Sequence, residues 1–128
     1  MAEISNYLEN ALINVTLRAT AYTAPTTVYV ALYTTDPTDA DSGTECTGTA
    51  YARQSVTFGA PSNGVTTNSA AIEFPQAGNS WGTITHIGIR DALTVGNLLY
   101  HTPLTASKTI ATGDVFRIAS GSLSVTLA

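Results

Sequence analysis

The hydrophobic period changes once along this chain, at Pro25, and that change limits the fold more than any other feature. Before it, Ile4, Tyr7, Leu8, Ala11, Leu12 and Val15 follow an i, i+3, i+4 spacing, the signature of an amphipathic helix. Ser5 or Glu3 stands near its start and Pro25 lies beyond its end, which predicts a helix from about residue 3 to 19. At about 100° per residue, Ile13 and Leu17 fall near 180° and 220° from Ile4, on the otherwise polar side. A second apolar stripe calls for a second partner, so Ile13 and Leu17 are candidate interface residues.

After Pro25 the period is two. In "TTVYVALYT" Val28, Val30 and Leu32 share one face and Tyr29, Ala31 and Tyr33 the other, and the run stops at the turn formers "TDPTDADSGTECTGT", read as a surface loop. Further strands are expected in "ARQSVTF", "GVTTNSAAIEF", "WGTITHIGIRD", "NLLYHTPL", "DVFRIAS" and "SLSVTLA", separated by "GAPSNG", "PQAGNS", "ALTVG" and "SKTIATG". About seven strands with short turns predict a mainly β fold, an antiparallel β-sandwich or jelly-roll-like sheet pair, with one N-terminal helix. At 128 residues the chain has the size of one domain, helix about 3–19 and sandwich about 26–128.

Charge excludes some partners. Five Lys and Arg stand against nine Asp and Glu, so little is available to neutralise phosphates and nucleic acid is not an expected partner. No stretch reaches the roughly 18 apolar residues of a membrane span, and "MAEISNYLENALINVT" lacks the basic start of a signal peptide. A soluble protein made in the cytoplasm is expected. The single Cys46, in the polar run "DSGTECTGT", excludes an intrachain disulfide and reads as an exposed or half-exposed bystander.

Chemistry would have to come from "THIGIRDALTVGNLLYHTPL", residues 85–104, which holds both histidines. His86 and His101 are fifteen positions apart, with no His-x-x-x-His and no cysteine pair, so at most two ligands of a zinc site are visible. No Gly-x-Ser-x-Gly marks a nucleophile, and "GAPSNG" lacks the following helix and Lys-Ser/Thr of a phosphate loop. Alternation turns Glu73 outward between Ile72 and Phe74, away from the apolar setting of a general acid. In "ITHIGIRD" Ile84, His86, Gly88 and Arg90 share one face, opposite Thr85, Ile87 and Ile89. If the two strands form a hairpin around "DALTVGN", His86 and His101 lie on one face as a cross-strand pair, a structural or interface feature. Adjacent in a strand, Arg90 and Asp91 point to opposite faces and are not one ion pair. The expectation is no enzyme, no cofactor and no metal.

The segments "NYLENALIN", "TTVYVALYTTDPTD", "YARQSVTFGAPSNGVTTNSAAIEFP", "WGTITHIGIRDA" and "GNLLYHTPLTASKTIATGDVFRIASGSLSVTL" carry a resemblance over nearly the entire chain. It resembles a family of small virion proteins of tailed bacteriophages and prophages, commonly labelled tail fibre proteins. The most specific parts are Tyr7-Leu8-Glu9-Asn10, Val28 to Leu32 with the following Asp36-Pro37, and Tyr51-Ala52-Arg53-Gln54. The resemblance implies a virion structural role and brings no catalytic residues. A long fibre needs repeats, a coiled coil or a β-helix, none of which is visible here. The expectation is therefore a capsid decoration or cement protein, a homotrimer on the capsid surface bound to the major capsid protein. The alternative is a tail fibre or tail-tip protein touching a host receptor.

Overall fold

The structure, a computed structural model, describes residues 2–127. In chain order its elements are β1 (Glu3–Ile4), α1 (Asn6–Leu17), β2 (Val28–Tyr33), β3 (Gln54–Val56), β4 (Val65–Thr67), β5 (Ile72–Glu73), β6 (Gly82–Arg90), β7 (Leu98–Ile110), β8 (Arg117–Ile118) and β9 (Ser124–Thr126). The fold is mainly β and antiparallel with one short N-terminal helix. A five-stranded sheet has the order β1-β7-β6-β2-β3, and two-stranded ribbons pair β4 with β9 and β5 with β8.

Alternation in β2 and β6 decides where the core sits. Val30 and Leu32 of β2 join Ile84, Ile87 and Ile89 of β6 in one buried cluster, which the ribbon side completes with Ile72, Phe116, Leu123 and Val125. A sheet facing ribbons across a shared apolar layer is the sandwich-like arrangement. Aromatic rings fill its middle: Tyr51 stacks on Phe74 at 6.2 Å and meets Trp81 edge-on at 5.5 Å.

Four expectations need correction. Ile84 does not share the face of His86: the β6–β7 register slips between Ile84 and His86, and this irregularity turns Ile84 into the core with Ile87 and Ile89. The helix spans Asn6–Leu17, because Ser5 is its N-cap and accepts a hydrogen bond from Leu8 N–H, while Glu3 and Ile4 pair with β7. "SKTIATG" is not wholly a turn, since β7 continues to Ile110 opposite Gly82. "GVTTNSAAIEF" splits into β4 and β5 around Asn68, whose buried amide donates to Ala70 and Ala119 carbonyls and accepts from Leu123 N–H.

The helix packs sparsely. Leu8 is its one buried residue, Ala11 and Leu12 are half-buried, and Tyr7 and Val15 of the expected core face are exposed.

Candidate functional site

The second face of the sheet, opposite the apolar core, collects nearly all the chemistry-bearing side chains. Register places Tyr33 opposite His86, Ala31 opposite Gly88, and Gly88 in turn opposite His101. His86 and His101 thus share a face, as expected of the hairpin, but they are offset rather than directly paired: His86 faces Pro103. Gly88 between them is required by space, because a Cβ there would lie 2.8 Å from Tyr33 Cε2 and 2.8 Å from Leu98 Cδ1.

Residues 34–45 form a cap on this face, Thr44 and Glu45 pairing along the edge of β2, while Cys46 to Thr49 turn to the core side, where Thr49 accepts from the Trp81 indole N–H. This corrects the reading of the run as a plain surface loop. Thr34 N–H donates to Thr44, Cys46 N–H donates to Leu32, and Pro37 is buried. Cys46 is buried as well, not exposed or half-exposed, and burial pushes its thiol above the ordinary range. The cap delivers four carboxylates to the sheet. Asp41 takes a bidentate pair from Arg90, Nη1 to Oδ1 at 2.8 Å and Nη2 to Oδ2 at 2.9 Å, while Arg90 Nη1 also donates to Tyr33 OH at 2.8 Å. Glu45 takes a second fork from Arg53, Nε to Oε2 at 2.9 Å and Nη2 to Oε1 at 2.8 Å, and Tyr51 OH donates to Oε2 at 2.7 Å. Burial alone would raise the Glu45 carboxyl, but the hydrogen bonds from Arg53 and Tyr51 outweigh it and hold the group below its ordinary 4.5.

The same arginines fix the β6–β7 hairpin loop through its carbonyls. Arg53 Nη1 donates to Ala92 and Val95 at 2.8 Å each, and Arg90 Nη2 donates to Gly96 at 2.9 Å. Their grip holds Val95 at φ 56, a backbone region that β-branched residues avoid. Asp91 is separate from Arg90, as expected, and accepts from Asn97 N–H and Nδ2.

The remaining cap carboxylates meet histidine. His101 Nε2–H donates to Asp39 Oδ1 at 2.8 Å, and Glu3 Oε2, brought opposite His101 by β1, lies 3.7 Å from the same nitrogen. Asp36 stands between the two imidazoles, Oδ1 3.8 Å from His101 Nδ1 and Oδ2 3.9 Å from His86 Nε2. Counting histidines alone gives two possible ligands; the fold brings Glu3, Asp39 and His101 within mutual reach. The available signal was the concentration of Asp36, Asp39, Asp41 and Glu45 within one ten-residue stretch of a chain poor in charge.

The other candidates are placed as follows. Glu73 is exposed, 3.9 Å from Arg117. Ile13 and Leu17 are exposed on α1, 52% and 79% accessible. Among the described residues no helix is long and apolar enough to cross a membrane.

No curated protein matches the chain. The family model described as Podophage GP4 fiber I protein gp80 matches residues 3–126, and the chain belongs to that family, that is, to the fibre-related structural proteins of the phage virion.

Proposed function

We propose that the chain is a non-enzymatic structural component of a phage fibre, assembled as a homotrimer through α1, whose hydroxyl-rich loops contribute to contact with a host receptor. The observation that carries the assembly is the helix: one buried side chain, Leu8, against exposed Tyr7, Ile13, Val15 and Leu17. Apolar surface concentrated on one element is how monomers of this size mark a contact with another chain. The family match supports the fibre over the head, and this replaces capsid decoration as the preferred reading.

Decoration of the capsid surface by binding the major capsid protein stands as the second reading, favoured by shape: among the described residues the longest helix has 12 residues and nothing extends the chain into a rod. Copy number per particle separates the two. Quantitative gel densitometry of purified virions should find copies in proportion to fibres, and a phage lacking the gene should adsorb poorly while releasing its DNA at the parental temperature. Copies in proportion to capsomers, with earlier DNA release and normal adsorption, would move the protein to the head.

A further inference from the structure

We propose that Glu3, Asp39 and His101 bind one divalent transition-metal ion of the zinc class. Their ligand atoms all lie within 4.8 Å of one another. A tetrahedral ion with ligands at about 2.0–2.2 Å sets those ligand atoms about 3.3–3.6 Å apart. The observed separations from His101 Nε2, 2.8 Å to Asp39 and 3.7 Å to Glu3, bracket that spacing, so small side-chain rotations would complete it.

What distinguishes this cluster from a group of surface carboxylates is the imidazole. The His101 side chain is 3% exposed, yet its Nε2 is aimed between two exposed carboxylates, while Nδ1 faces a third, Asp36, at 3.8 Å. Metal-ligating histidines are oriented by a carboxylate that accepts the proton of the far nitrogen, and Asp36, 3.8 Å from Nδ1, would have to close by less than about 1 Å to do so. Charge points the same way. Asp41 and Glu45 of the cap each receive an arginine, whereas among the described residues Glu3, Asp36 and Asp39 have ion-pair contacts with histidine alone. This end of the cap is short of a cation that the other end has.

The imidazole selects the class of ion, since calcium and magnesium take oxygen ligands whereas zinc accepts nitrogen and carboxylate together. On binding, Nε2 turns its lone pair to the ion and the ring keeps one proton, on Nδ1 toward Asp36. A neutral ring moves its proton from Nε2 to Nδ1 and releases none, whereas a doubly protonated ring loses the Nε2 proton to water. The three ligands come from β1, the cap and β7. Ser5 N–H donates to Leu99 and Asn6 N–H to Asp39, so an ion here ties the root of α1 to the sheet. The inference does not depend on the fibre reading.

The test uses the full chain, stripped with chelator, desalted and titrated calorimetrically with zinc chloride and, in parallel, calcium chloride. Bound metal is then counted per chain after desalting. Glu3→Gln and Asp39→Asn alter exposed carboxylates, with circular dichroism as the check of folding; His86→Ala is the control outside the set. Expected are one zinc per chain for the wild type and His86→Ala, no calcium retained, at least tenfold weaker zinc binding in either carboxylate variant, and a zinc-dependent shift of the His101 imidazole nitrogens by NMR. Failure of the wild type to retain zinc would overturn the proposal, as would equal affinity in Glu3→Gln, which decides the matter if Asp39→Asn does not fold.

Discussion

Replacing Ile13 and Leu17 together by Ser tests whether α1 is an assembly element or simply a loosely packed part of the chain. Full burial of an aliphatic side chain stabilises by about 1.5–3 kcal/mol. Ile13 is 52% and Leu17 79% exposed, and those fractions are what a neighbouring chain can still cover. Scaling by them, the double substitution should weaken each α1 contact by about 2–4 kcal/mol, roughly thirty- to thousandfold in the association constant. The complementary, already buried fractions contribute about 1–2 kcal/mol within the chain, small against the roughly 5–15 kcal/mol of a folded domain. Sedimentation analysis should therefore show lighter species over a concentration series. Meanwhile Trp81, buried with its indole N–H donating to Thr49, should keep its native fluorescence. An unchanged mass distribution would refute the assembly role. Loss of the native Trp81 signal would instead mean that the stripe belongs to the chain's own core.

Two further outcomes concern the second face of the sheet, and a third the core beside it. Gly88→Ala places a Cβ 2.8 Å from both Tyr33 and Leu98, so urea unfolding should show a loss of about 1–3 kcal/mol, and unchanged stability would mean that the strand shifts freely there. Because Arg53 and Tyr51 lower the folded-state Glu45 carboxyl against the opposing effect of burial, its contribution is fully present above the ordinary carboxylate range and is lost as pH falls through the lowered value. Glu45→Gln should therefore flatten the acid limb of the stability profile, and an identical slope would show the pair to be without weight. The buried Cys46 thiol, raised by desolvation, should react with a disulfide reagent only as fast as the protein unfolds; immediate modification of the native protein would contradict its burial.

The strands legible in the sequence were those whose residues alternate without interruption. Val28, Val30 and Leu32 sort from Tyr29, Ala31 and Tyr33 by period alone, and the structure puts Val30 and Leu32 in the core. Ile84 broke the rule because an irregularity against β7 flips its side, and such a slip depends on the partner strand rather than on local sequence. β1, two residues long, is too short to have a period; β7 supplies its structure. The helix period was legible, but period does not tell which stripe the same chain buries, and Leu8 alone of the six expected positions is buried. The cap was hidden for a related reason. Its composition is that of a loop, and its order comes from partners far along the chain: Asp41 meets Arg90 49 positions away and Asp39 meets His101 62 positions away.

That concentration of charge in the cap also shapes how the rest of the surface can act. Of five Lys and Arg, Arg53 and Arg90 are buried, each gripping a cap carboxylate and carbonyls of the β6–β7 loop. Arg18, Lys108 and Arg117 are left on the remaining exterior. A surface so thin in positive charge has no long-range attraction for an anionic partner, so recognition of one would have to rely on close contact of apolar and hydroxyl groups. Close contact of that kind persists where salt screens charges beyond roughly 10 Å. The cap and the ribbons between them cover both faces of the central sheet, and α1 is the element that neither covers. Its outward residues Ile13 and Leu17 are uncharged, so a contact through them keeps its strength across the range of ionic conditions a virion meets outside its host.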